Sequence, residues 1–283
     1  MMKFLLIASV LLNIGPVPEK VIYKQIGNLE LSLEVFRPPD ADHGDPRPAM
    51  VFFFGGGWNG GRTQQFQPHA EYFSDRGMVC FLVEYRVNSR HGTTPFESLM
   101  DAKSAMRYIK ANASVFHIDT ARIVAAGGSA GGHLAAATAF VEKFNDPHDD
   151  LSVSPVPAAL ALFNPVVDNG PSGYGYDRLG ERYVDFSPLH NVRQGAPPSI
   201  FFLGTRDKHI PVKTAEQFKR AIERVGGRCD LVLYEGQPHG FFNYRNRPYF
   251  QNTVYETDRF LVSLGILEGQ PTIDRGTPGT KKE

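Results

Sequence analysis

Apolar positions along the chain fall into short runs of strand length and longer runs with helical spacing. Residues 21–26 and Leu29–Phe36 alternate at period two around Gly27-Asn28, which predicts an opening antiparallel hairpin. The later strand-length runs, 49–54, 78–86, 123–126, 157–167, 199–203 and 230–235, are mostly apolar throughout, as in a sheet covered on both faces. Helices are predicted over 67–76, 96–112, 134 to near 144, 211–226 and 249–264. In the fourth of these, Val212, Ala215, Phe218, Ile222 and Val225 form one apolar stripe, the mark of a helix packed on one side. Strand alternating with helix predicts an α/β fold: a mostly parallel sheet, antiparallel only at the hairpin, with crossover helices on both faces.

Segments outside this pattern are read by composition. Residues 38–48 and 88–95 are polar loops, and 145–150 is a turn-rich stretch. The 168–198 segment is rich in Gly, Tyr and Asp with little periodicity. It is too long for an ordinary connection and is predicted to be a small lid or pocket wall. Residues 268–283 are polar with Pro, Gly and Lys and are predicted to fray. One domain is therefore expected over 19–267, which 283 residues can fill with a sizeable core.

Charge narrows the partners. Thirty basic residues balance thirty acidic ones, which argues against nucleic acid or an anionic membrane. Cys80 and Cys229 lack C-x-x-C spacing and lie in strand-like runs, so buried thiols are expected rather than a disulfide or a metal site. Lys3 followed by an apolar run over 4–12 has the form of a signal-peptide core, too short to span a bilayer. Residues 1–18 are thus read as a candidate leader, although 13–18 contain no A-x-A cleavage pattern. The expectation is a secreted or periplasmic protein, with a cytoplasmic one as the alternative. No other segment is long and apolar enough to cross a membrane.

Gly127-Gly128-Ser129-Ala130-Gly131 fits G-x-S-x-G between a predicted strand and a predicted helix. A serine on so sharp a turn needs small neighbours, and the first helix amides then point where an oxyanion would form. A phosphate-cradling loop is the competing reading, but there is no G-K-[ST] ending and no G-x-G-x-x-G with a suitable acid. Serine needs a base, and the base needs a group to orient it. Asp207 follows the strand at 199–203 and His239 follows the strand at 230–235, in the chain order Ser, Asp, His. Each taken alone would be a turn residue; three at the ends of three strands form a rarer coincidence. Gly55-Gly56-Gly57-Trp58 follows the strand at 49–54. Its amides can turn inward, so Gly56, Gly57 and Ala130 are the candidate oxyanion donors, each worth roughly 3–4 kcal/mol of barrier.

These residues resemble the Gly-rich-loop esterases of the α/β-hydrolase superfamily, which carry an H-G-G-G or H-G-G-x-W motif. That group includes hormone-sensitive-lipase-like esterases, acetyl xylan esterases and kynurenine formamidases. The resemblance spans 21–267, with Phe54 at the usual histidine position. The early hairpin leaves no room for an N-terminal helical cap, which points to the acetyl-xylan-esterase-like branch. The resemblance implies a serine carboxylesterase for short acyl esters of small molecules or oligosaccharides, acting through an acyl-enzyme, without cofactor or metal. Trp58, His91, Tyr174 and Tyr176 are expected to contact substrate. Packed lid tyrosines are the competing account of Tyr174, Tyr176 and Tyr183. Glu84, Arg86 and Arg90 border the same loop, with a buried Glu–Arg pair expected to fix it. His133 is expected to pack, Asp101 to be structural, and His148-Asp149-Asp150 to be an exposed turn. Alternatives are an amidase, aryl formamidase or peptidase on this fold, or an inactive binding protein. No long lid suggests a lipase.

Overall fold

The structure is a computed structural model that describes residues 18–40 and 43–276. The candidate leader lies outside the described residues, apart from Pro18. Among these residues one sheet holds eight strands in the order β1-β2-β4-β3-β5-β6-β7-β8. They are β1 (Glu19–Ile26), β2 (Leu29–Phe36), β3 (Arg47–Phe53), β4 (Val79–Val83), β5 (Ile118–Gly128), β6 (Ala159–Phe163), β7 (Ser199–Gly204) and β8 (Cys229–Tyr234). Strand β2 pairs antiparallel with both β1 and β4, and every later pairing is parallel. This is the sheet expected from the alternating and then continuous apolar runs.

The helices are α1 (Gln67–Asp75), α2 (Asn88–His91), α3 (Pro95–Ala111), α4 (Ala113–Phe116), α5 (Ala130–Phe140), α6 (Tyr176–Leu179), α7 (Tyr183–Phe186), α8 (Val212–Arg224) and α9 (Arg247–Ser263). Strand alternation divides the interior into two cores. Ala49, Val51 and Phe53 of β3 join residues of α3, α5 and α8, while Met50 and Phe52 join α1 and α9. Residues so covered on both faces must be apolar throughout, which explains the unbroken run in β3.

Several ends differ from the sequence expectation, each for a visible reason. The helix after Ser129 stops at Phe140 rather than near Phe144. Val141 is extended, and Phe144 takes φ 59° to stack on Phe96 at 4.7 Å. Strand β4 ends at Val83 because the residues beyond it are engaged elsewhere. Tyr85 donates to the Phe54 carbonyl at 2.6 Å, and Arg86 turns to Asp101. The expected buried Glu–Arg pair is replaced by other contacts: Arg90 donates to the Gly61 carbonyl, Arg86 makes a two-point contact with Asp101 at 2.7 and 2.8 Å, and Lys24 joins at 2.8 Å. The polar loop at 88–95 contains the turn of α2, and α3 opens with a Thr94–Glu97 capping box.

The 168–198 segment is built from α6, α7 and the 3₁₀ turns Gly180–Arg182 and Pro188–Asn191. Phe186 is buried and pins it to the core, while Ser187 Oγ donates to the Val167 carbonyl at 3.0 Å. Of the tail expected to fray, residues 277–283 lie outside the described residues, and 268–276 are tied to the fold. Arg76 donates to the Glu268 carbonyl at 2.8 Å, Asn252 to the Arg275 carbonyl at 3.0 Å, and Arg275 pairs with Glu256 at 2.9 Å. Cys80 and Cys229 are free and buried as expected, and burial pushes the Cys229 thiol up to about 12.

Candidate active site

Strand register brings several chain ends to one place. Phe53 pairs with Gly127, and Gly128 with Phe163 of β6, so the residues leaving these strands meet over the C-terminal edge of the sheet. Ser129 sits between β5 and α5 at φ 54°, ψ −119°, a conformation costing about 1–3 kcal/mol for a residue with a side chain. The turn needs glycine on both sides. A Cβ on Gly127 would stand 2.3 Å from the Gly131 carbonyl oxygen, and one on Gly131 would stand 2.0 Å from that of Phe53. Main-chain bonds hold the turn against β6: Ser129 N–H donates to the Phe163 carbonyl at 3.0 Å, and Val166 N–H donates to the Ser129 carbonyl at 3.1 Å.

His239 and Asp207 reach the serine from the loops after β8 and β7. His239 Nε2 lies 2.8 Å from Ser129 Oγ, and Nδ1 lies 2.6 Å from Asp207 Oδ2. The Asp207 side chain is fully buried, and its other oxygen accepts the amides of His209 at 2.8 Å and Ile210 at 3.0 Å. A carboxylate so held presents one remaining oxygen to the imidazole. Nδ1 therefore carries the proton, leaving the Nε2 lone pair for the Ser129 hydroxyl to donate to.

On the other side of Ser129 lies the glycine loop after β3. Gly56 has φ 137° and Gly57 has φ 64°, so both sit where a side chain is strained. A Cβ on Gly57 would also meet the Tyr174 hydroxyl at 2.7 Å. The loop closes through Asn59 and Gly60 amides on the Gly56 carbonyl, both at 3.0 Å. Among the described residues the N–H groups of Gly56, Gly57 and Ala130 have no acceptor. Ala130 is the first residue of α5, where the helix dipole adds positive potential.

Phe54 substitutes aromatic packing for the histidine of the H-G-G motif. Its ring stacks on Tyr85 at 4.1 Å, and Arg90 donates to the Gly61 carbonyl at 2.6 Å with its guanidinium 5.9 Å from the Phe54 ring. From the opposite side, Arg178 donates to the Gly57 carbonyl at 2.6 Å and lies 5.1 Å from the Trp58 ring.

Ser129, His239, Gly56, Gly57 and Tyr174 line a cleft of about 510 Å³. Asp207 stands behind His239, and Ala130 is buried at the helix start. Three predicted substrate contacts are absent from the lining. Trp58 is 1% exposed and packs inward on His133 and Phe186. His91 folds back so that its Nδ1 accepts the Val87 amide at 3.0 Å. Tyr176 turns to Glu181 within the 168–198 segment, where the pair is exposed. His133 packs as expected, stacked on Phe186 at 4.2 Å; burial pushes it down to about 3, so it is neutral.

The cleft also holds Asn164, His209, Gln65 and Asn243, which the sequence did not single out. Asn164 takes φ 36° directly after β6, and its Oδ1 accepts the Gly240 amide at 2.9 Å. His209 packs edge-on against both His239 at 4.9 Å and Tyr174 at 5.5 Å. The available signal was position: Asn164 ends a buried strand, and His209 lies two residues beyond Asp207.

Known proteins resemble this chain in sequence and in structure. Residues 33–169 match the BD-FAE family and residues 163–259 the dienelactone hydrolase family. The structure of Thermogutta terrifontis esterase 2 phosphoramylated by tabun superposes with a TM-score of 0.86 at 42% identity, covering 90% of this chain and 97% of that one. The propionate-bound form of that esterase gives 0.84 at 41% identity, with the same coverage. Esterase LipC of Mycobacterium tuberculosis is 29% identical over 232 residues, 74% of this chain and 56% of that protein. The chain spans about half the length of the curated relatives it matches. With a hydrolase sheet, a serine on its elbow and likeness to an esterase over nearly the whole of both chains, this chain belongs to the esterases of the α/β-hydrolase superfamily.

Proposed function

We propose that the protein is a serine carboxylesterase that removes short acyl groups, chiefly acetyl, from a carbohydrate. The observation that carries the chemistry is the continuous chain from Ser129 Oγ through His239 to Asp207, at 2.8 and 2.6 Å. In this reading His239 takes the Ser129 proton as Oγ attacks the ester carbonyl carbon. Negative charge develops on the carbonyl oxygen and is received by the Gly56, Gly57 and Ala130 amides, which need no reorganisation to meet it. Asp207 holds the imidazole tautomer and stabilises the imidazolium. The imidazolium gives its proton to the departing alcohol, leaving the acyl group on Ser129. A water deprotonated by His239 then attacks that ester, and Ser129 recovers its proton as the acid leaves.

Two features support the substrate class. The cleft at Ser129 shares Gly56, Gly57, Tyr174 and His209 with a second groove of about 660 Å³. Asn59, Ser172, Asp177 and Lys208 line that groove, an array suited to a hydroxyl-rich alcohol. The related Thermogutta esterase has been solved with propionate and with butyrate bound, in keeping with a short acyl side. Export through residues 1–18 would place such an enzyme with polymeric substrates and belongs to the same proposal.

The test is hydrolysis of p-nitrophenyl esters from acetate to decanoate, followed by acetylated xylo-oligosaccharides. Rates peaking at acetate, with acetate released from the oligosaccharide, are expected. A peak at long chains, or an untouched oligosaccharide, contradicts the carbohydrate assignment.

A further inference from the structure

Four hydrogen bonds run in one line from the glycine loop through the histidine loop to Asn164. Gly55 N–H donates to Gln65 Oε1 at 2.6 Å, and Gln65 Nε2 donates to Asn243 Oδ1 at 2.9 Å. Asn243 Nδ2 donates to the Gly240 carbonyl at 2.7 Å, and Gly240 N–H donates to Asn164 Oδ1 at 2.9 Å. The main-chain groups at each end fix every orientation. Gly55 N–H can only donate, so Gln65 must present its oxygen and turn its NH₂ outward. The Gly240 carbonyl can only accept, so Asn243 must turn its NH₂ there and its oxygen to Gln65. Reversing either side-chain amide places donor on donor and acceptor on acceptor, and loses two bonds.

We propose that Gln65 and Asn243 are positioning residues that set the spacing between the oxyanion amides and the His239 imidazole. The proposal rests on Ser129 acting as the nucleophile. Gly55 precedes the amides of Gly56 and Gly57, and Gly240 follows His239. The strut thus spans the two halves of the machinery that serve the same tetrahedral intermediate. Asn164 extends it: with Oδ1 committed to Gly240, its Nδ2 lies 3.5 Å from His239 Nε2. The coupling reaches across 178 positions of sequence, so neither loop can shift alone without breaking a bond.

A double-mutant cycle tests the idea. Gln65→Met and Asn243→Ala each cut the strut at one side chain, and the pair removes it. Each single variant is expected to lower kcat on p-nitrophenyl acetate on the order of 10- to 100-fold, the loss that follows a small misplacement of reacting groups. KM should stay within about twofold, because the misplacement is felt in the transition state, and the thermal midpoint should fall by no more than the few degrees that lost ground-state hydrogen bonds carry. The double variant should be no worse than the poorer single one, since either substitution already breaks the line. Where Asn243→Ala does not fold, Asn243→Asp takes its place, keeping the acceptor for Gln65 and losing the donor to Gly240. Multiplying losses, or an unaltered kcat, overturn the strut while leaving the nucleophile intact. A native protein that hydrolyses esters yet is inactivated by a fluorophosphonate at a residue other than Ser129 overturns the serine mechanism and the strut together.

Discussion

At the scale of single residues, the site is governed by what each position must present. Ser129 accepts a strained φ of 54° because the turn has to lift Oγ off the sheet, and only glycine fits at 127 and 131. In the proposed mechanism Asp207 orients the imidazole and does not itself move a proton. Its substitution by Asn keeps the shape but lets the amide NH₂ face Nδ1, favouring the tautomer with the proton on Nε2. The expected result for Asp207→Asn is a fall in kcat on the order of 10⁴-fold with the thermal midpoint little changed. A loss under tenfold would show that another group orients His239.

Residue type also decided what could be foreseen. Ser129, Asp207 and His239 were legible because acyl transfer demands those types in loops after strands. Trp58, His91 and Tyr176 were not legible as packing residues, because spacing gives position along the chain and not the direction of a side chain after a turn. Trp58 takes φ 55° and turns beneath its loop. Gln65, Asn243 and Asn164 join loops that only the fold brings together, and an isolated amide carries no mark of that.

At the scale of elements, the alternation of core residues along β3 and the stripe of α8 follow directly from the periodicities of strand and helix. Ends were less legible than middles, since Val83, Phe140 and Phe163 terminate their elements through tertiary contacts. The ion cluster at Asp101 shows how elements are joined. Asp101 lies on α3 with no exposure, and it meets Lys24 of β1 and Arg86 just past β4 at 2.8 and 2.7 Å. Removing the acid strips the enclosed Arg86, at 13% exposure, of its carboxylate, while Lys24 keeps only the Asp146 carboxylate, at 2.7 Å. Asp101→Ala is expected to cost about 3–5 kcal/mol of unfolding free energy, read from urea titration. A cost below about 1 kcal/mol, the range of surface pairs, would contradict the linkage of hairpin to helix.

At the scale of the whole molecule, the parallel strands β3, β5, β6, β7 and β8 deliver their following loops to one edge, as open α/β sheets do at a ligand crevice. A groove of about 650 Å³ along β8 between α8 and α9, larger than the Ser129 cleft, contains none of these loops; size alone does not locate the chemistry. The fold was readable as a sheet with crossover helices because apolar runs bounded by glycine and proline recur along the chain. The short helical turns inside 168–198 and the docking of 268–276 were not readable, since such turns and salt links lack periodicity. Among the described residues, no helix is long and apolar enough to cross a membrane.

The central claim is that Ser129 is the nucleophile of a covalent ester hydrolysis. Reaction with a fluorophosphonate, followed by intact-mass measurement and peptide mapping, tests it most directly. One phosphonyl group per chain on Ser129, with parallel loss of esterase activity and no labelling of Ser129→Ala, is the expected result. An unlabelled native protein that still hydrolyses esters, or an inactivating adduct on another residue, would contradict the account.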